Sequence, residues 1–189
     1  MSTITRPPGR VRFSVEEFAR MRDAGLFEGR HVELLDGELY EVTKNPPHNY
    51  AVDVLARALR LLLEGIGYLV REEKSIGPWE DWWPEPDIAV VRGPKERYKR
   101  QYPIPADIVL LVEVCDTSPQ DRTKKLAGYA AAGIATYWIV DLNERRLEVY
   151  TQPVAGAYPA PAILGESEAV ELVIDGQVVG QLAVADLLP

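Results

Sequence analysis

Residues 108–114 read Ile-Val-Leu-Leu-Val-Glu-Val, a near-continuous apolar run interrupted by a single acid, Glu113. A run of this kind suits a central strand buried on both faces. A carboxylate is costly to bury alone, so Glu113 calls for a lysine, an arginine or a metal ion as partner. The apolar segment before it, Asp87–Val91, follows Pro86 and opens on a second acid. One carboxylate at a strand end can simply reach water. Two on neighbouring strands are a stronger signal, because paired carboxylates with a main-chain carbonyl make the oxygen-only donor set that magnesium or manganese prefers.

On the C-terminal side, Ser118-Pro119 supplies an N-cap and a proline for the first helical position of a helix that closes at Gly133. Asp121, Lys125 and Tyr129 recur every four residues and share one face of it. Plainer readings remain open there. Asp121 stands three residues after Ser118 and could be a capping-box acid, and Asp121 with Lys125 could be a surface ion pair. Thr136–Asp141 and Leu147–Tyr150 then read as an antiparallel pair across Asn143-Glu144. Pro153–Pro161 reads as a loop, and Ala169–Ile174 with Gln177–Gln181 as a hairpin over Asp175-Gly176. Val184–Leu188 is a short terminal segment.

On the N-terminal side, Ser14 and Glu17 form a capping box for a helix ending near Gly25, with Phe13, Phe18 and Met21 on one face. Asp36-Gly37 suits a tight turn between His31–Leu35 and Glu38–Val42. A helix is predicted from His48 to Glu64, with Val52, Leu55, Leu59, Leu62 and Leu63 at helical spacing. Tyr68–Arg71 is a strand. Trp79, Trp82 and Trp83 lie in a turn-rich loop, as exposed interface residues or as packing. The predicted fold class is α/β, a mixed β-sheet flanked by helices, with an added N-terminal helix and hairpin and a C-terminal hairpin. Residues 1–12 are expected to form a flexible basic arm. Residues 13–189 form one domain, with its core over about 31–150 and a β extension over 151–189.

The 189 residues carry 21 Lys plus Arg against 29 Asp plus Glu, a net charge of −8. This argues against bulk electrostatic capture of nucleic acid. The stretch Arg92–Arg100 (RGPKERYKR) runs against that trend, with Arg92, Lys95, Arg97, Lys99 and Arg100 set against one acid. It is either a solvated loop or a track for phosphates. One cysteine excludes a disulfide framework and an all-cysteine metal site. The opening residues lack a signal-peptide core and no apolar stretch could span a bilayer, so a cytoplasmic protein without membrane contact is expected. Gly-rich phosphate loops, nucleophile elbows and His-Glu-x-x-His are absent. Of the two histidines, only His48 at a helix start is kept as a candidate.

Taken in order, Glu33-Leu-Leu-Asp-Gly-Glu38, His48, Pro86-Asp87-Ile88-Ala89-Val90 and Leu111-Val-Glu113-Val114 resemble the Uma-two family of restriction endonucleases, in the PD-(D/E)XK nuclease superfamily. Asp121-x-x-x-Lys125-x-x-x-Tyr129-x-x-x-Gly133 and Tyr137-Trp-Ile-Val-Asp141 extend the match, which covers roughly 13–150. The resemblance implies a restriction-endonuclease-like core and Mg2+- or Mn2+-dependent cleavage of phosphodiester bonds, in DNA. It implies Asp87 and Glu113 as metal carboxylates and Glu33 as a further acid. His48, Asp121 and Tyr129 are secondary candidates. Self-association into a dimer or larger assembly is expected. The superfamily's lysine two residues after the glutamate is replaced here by Cys115, a neutral thiol. The resemblance moves that role to the following helix, where Lys125 is chosen over adjacent Lys124. The alternative is a degenerate nuclease fold that binds nucleic acid or protein without turnover.

Overall fold

A computed structural model describes residues 10–116 and 119–189. Helix α1 (Val15–Asp23) starts at the Ser14–Glu17 capping box, in which each side chain accepts from the other's backbone N–H. Strands β1 (His31–Leu35) and β2 (Glu38–Val42) form a hairpin with Leu35 opposite Glu38. Asp36 and Gly37 both take positive φ, 52° and 70°, as the tight turn requires. A small core of Phe18, Leu34 and Trp83 ties this hairpin to α1.

Helix α2 spans Pro46–Leu62 and begins two residues before the expected His48. Asn45 caps it by accepting from the His48 N–H, and the prolines occupy positions whose N–H groups have no intrahelical partner. The six-stranded sheet is ordered β3 (Tyr68–Glu72), β4 (Ile88–Arg92), β5 (Ile108–Cys115), β6 (Thr136–Asp141), β7 (Arg146–Thr151) and β8 (Ala162–Gly165). Only β5 and β6 run parallel. Every residue of β5 is buried, as its composition demands. On one face Val90, Leu110, Val112 and Trp138 pack under α2 and the hairpin of β9 (Ala169–Ile174) and β10 (Gln177–Ala183). On the other, Leu111, Cys115 and Ile139 pack against Tyr129 and Ile134.

The crossover from β5 to β6 departs from a plain α-helix. Asp121–Lys125 is a π-helical turn, in which the Lys125 N–H donates to the Gln120 carbonyl, and it runs directly into α3 (Leu126–Ala131). The expected Ser118 cap, and residues 1–9 of the expected N-terminal arm, lie outside the described residues. Strand β8 falls just after the stretch read as a loop. The tryptophans are not exposed. Trp83 is buried, and the half-buried indole of Trp82 sits where a Cβ on Gly128 would lie, so that helix position needs glycine. No helix among the described residues is long and apolar enough to cross a membrane.

Candidate active site

Asp87 sits one residue before β4, just beyond the Ile88–Val112 pair, which places it next to Glu113 on the adjacent strand. Its Oδ2 accepts from the Val114 N–H at 2.8 Å and lies 3.1 Å from His48 Nε2 in the first turn of α2. Burial alone would raise the Asp87 pKa. His48, Lys125 and the Val114 N–H outweigh it and hold the carboxyl below its ordinary value. The same contact acts on the imidazole. Burial opposes its charge, but the Asp87 carboxylate lifts His48 above its usual range.

Lys125 provides the centre of the site. Its Nζ lies 3.0 Å from Glu113 Oε2, 3.1 Å from Glu33 Oε2 and 3.8 Å from Asp121 Oδ1, with all four side chains buried. The i+5 turn turns Lys125 inward, so it is not part of a surface ion pair. Lys124 points elsewhere, to Asp36 and Glu38 at 3.2 and 2.8 Å. Tyr129 donates to Glu113 Oε1 at 3.0 Å, and Glu33 Oε1 accepts from the Glu85 N–H at 2.7 Å. Three carboxylates therefore share one ammonium. Burial, followed by repulsion from Asp87, Asp121 and Glu33, pushes Glu113 well above the carboxylate range despite Lys125. Asp121 rises to about 6 for the same reasons. Lys125 is held charged by the surrounding acids against the effect of burial.

These groups open onto a cleft of about 360 Å³ lined by Glu33, His48, Asp87, Glu113, Asp121 and Lys125, with residues 40–45 along its rim. Residues from β1, α2, β4, β5 and the π-turn thus converge on one end of the sheet. The basic segment does not join them. It leaves β4 at the opposite end from Asp87, and Arg92 and Arg97 are tied to Asp175 and Asp107 at 2.7 and 2.6 Å.

Comparison with known proteins bears on this arrangement. The family Uma2, described as "Putative restriction endonuclease", matches residues 15–185. The chain belongs to this family. Among solved structures the Uma2 chain is similar to a "putative nuclease belonging to DUF820" from Anabaena variabilis. That match has a TM-score of 0.71 and 16% identity, and covers 93% of this chain and 97% of the other. At that identity the likeness speaks for the fold. No curated protein matches.

One residue of this Uma2 site escaped the sequence reading. Glu73, just past β3, takes a positive φ of 47° and its N–H donates to the Asp87 carbonyl. Its carboxylate joins His48 and Asp87 in a group whose ligand atoms all lie within 4.8 Å of one another. Lys44 lies 3.1 Å from it. The acidic pair Glu72-Glu73 closing a strand was the available signal, but only the pairing of β3 with β4 brings it to Asp87.

Proposed function

We propose that the chain is a divalent-metal-dependent nuclease that hydrolyses phosphodiester bonds in DNA at the Asp87–Glu113–Lys125 end of the sheet. The observation that carries this reading is the charge imbalance around Lys125. Four buried carboxylates, Glu33, Asp87, Glu113 and Asp121, face one ammonium and one imidazole. A structural ion-pair network has no reason to keep the surplus, since an unpaired buried charge costs several kcal/mol, about 3–5 by analogy with broken buried pairs. A cation relieves it, and carboxylate oxygens suit the hard ions Mg2+ and Mn2+.

Asp87 and Glu113 would hold that ion, with His48 and Glu73 beside Asp87. When bound, a divalent ion lowers the pKa of water and offsets charge on the phosphate. The remaining work falls to the protein. His48 and the Val114 N–H fix the Asp87 carboxylate in its ionised form. Lys125 is placed to face the negative charge that develops on the phosphate oxygens or to orient the attacking water, in the role that Cys115 cannot fill. Glu33 and Tyr129 hold Lys125 and Glu113 in register. Incubation of a plasmid with the protein and Mn2+ should yield nicked and linear DNA, and EDTA or Glu113→Gln should stop it. Cleavage that persists in Glu113→Gln contradicts the assignment.

A further inference from the structure

Among the described residues strand β3 is the outermost strand of the sheet and pairs only with β4. A groove of about 890 Å³ follows its free edge. Basic side chains outnumber acids in the lining: Arg71, Lys74, Lys95 and Lys99, with Arg60 ion-paired to Glu72, stand against Glu64 and Glu96. In a chain of net charge −8 this is a local reversal of sign. Most arginines elsewhere are ion-paired, Arg92 and Arg97 among them. Among the described residues no carboxylate pairs with Arg71, Lys74, Lys95 or Lys99.

Arg71 is the most telling of these. Its Nε is buried without a hydrogen-bond partner among the described residues. Its guanidinium has only a long contact with the Ser75 carbonyl, 3.5 Å, and the Tyr98 ring at 5.8 Å. A half-buried guanidinium left in this state lacks the planar, bidentate acceptor that it is shaped for.

We propose that this groove binds a nucleic-acid strand through its phosphates, with Arg71 and Lys74 gripping the backbone near the site and Lys95 and Lys99 further out. The direction follows from register. Tyr68 pairs with Arg92 at the outer end, where the segment bearing Lys95 and Lys99 leaves the sheet. Glu72 pairs with Ile88 at the inner end, and Lys74 follows Glu73, which touches Asp87. Five strand residues span about 16 Å at about 3.3 Å each. That equals about five nucleotides at the 3.4 Å rise of a stacked strand. Tyr98 adds an aromatic face of the kind on which bases stack. The proposal rests on the nuclease reading for the strand's destination, but not for binding itself.

The test is fluorescence anisotropy of a labelled single-stranded oligodeoxynucleotide in EDTA, where no turnover occurs. Lys74, Lys95 and Lys99 are exposed, so their combined replacement by alanine leaves the core intact. The triple variant should bind at least about tenfold more weakly, with a salt slope shallower by about 2, for three lost phosphate contacts at about 0.7 each. Arg71→Lys, which keeps the charge and loses the fork, should weaken binding less. Arg20→Ala, an exposed cation on α1, should change neither quantity. Wild-type affinity and slope in the triple variant, or no binding by the wild type, overturns the proposal. If the triple variant instead loses self-association while its DNA affinity is kept, the edge pairs with protein and the proposal fails. Binding through the groove without cleavage in Mn2+ would sink the nuclease reading alone. Cleavage with unaltered KM in the triple variant would sink the groove alone.

Discussion

Arg122 and Lys125 stand three residues apart on one π-helical turn, and carboxylates surround both, yet the two surroundings differ in balance. Arg122 reaches Asp141 at 2.5 Å and Glu148 at 2.8 Å, with Cys115 Sγ 3.0 Å from its Nη1. Arg146 approaches the same two acids at 3.6 and 3.3 Å, and Tyr150 donates to Glu148 at 2.8 Å. Two cations meet two anions. Burial would raise the Glu148 pKa, but Arg122 and Tyr150 bring it below its ordinary value. Around Lys125, acids outnumber the cation and two of them rise. The balanced cluster fastens the turn to β6 and β7. The unbalanced one is left short of positive charge at the cleft, where a reaction can use the deficit.

Replacing acids should therefore have opposite consequences in the two clusters. Asp87→Asn and Glu113→Gln are each expected to lower the rate of plasmid cleavage by about 10³-fold or more, the scale of losing a key electrostatic group. Glu113→Gln should be as stable in urea as the wild type or more so, because the fold disfavours that charge, whereas Asp87→Asn should lose stability, because it leaves buried His48 without its carboxylate partner. Glu148→Gln should do the reverse of Glu113→Gln, keeping most of the cleavage and losing about 3 kcal/mol in the same titration, as a broken buried pair does. Equal stability losses in Glu113→Gln and Glu148→Gln would erase the distinction between the clusters.

The sequence carried the scaffold of this contrast better than the contrast itself. Local chemistry specified some elements to the residue. Asp36-Gly37 defines the β1–β2 hairpin, the Ser14–Glu17 box starts α1, and the apolar run of β5 announces its burial. Asp87, Glu113 and His48 were legible as polar groups at strand ends or a helix start, and Asp121, Lys125 and Tyr129 as one helix face, whereas Glu33, in the middle of β1, came only through the family resemblance. What escaped depends on long-range contact. Four-residue spacing singled out Lys125 over Lys124, but it cannot separate an α-helix from a π-turn, so the turn that aims Lys125 inward was not legible. Arg122 finds partners 19 and 26 residues away. Glu73 meets Asp87 only through strand pairing. Strand β8 has just four residues at the sheet edge, too few for a periodic pattern.

Protons should separate the clusters next. Asp121 titrates near 6 in the fold against an ordinary 3.8. Between those values the folded state binds more protons than the unfolded chain, so this group's contribution to stability falls as pH rises from about 4 to about 6. Glu148, shifted downward, contributes in the opposite sense, adding stability as pH rises through the ordinary carboxylate range. The stability difference between wild type and Asp121→Asn should change by on the order of 2 kcal/mol between pH 4 and pH 7, with the wild type losing ground. Chemical denaturation at several pH values measures this, and a flat difference would mean that Asp121 bears no excess charge.

The smallest effect is expected at Lys124. Its partners Asp36 and Glu38 lie at the surface, where ion pairs contribute little. Lys124→Ala should cleave at close to the wild-type rate, whereas Lys125→Met should be nearly inert. Similar losses in both would show that the inward turn of Lys125 has no functional weight.

The most direct test of the charge deficit is where a cation goes. Crystals soaked in Mn2+ and measured at its absorption edge should show an anomalous peak within coordination distance of Asp87 and Glu113, about 2.0–2.6 Å from their oxygens. The peak should be absent from Asp87→Asn crystals. Manganese bound only elsewhere, or no manganese in the cleft while Lys125 stays locked between Glu33 and Glu113, would contradict the account.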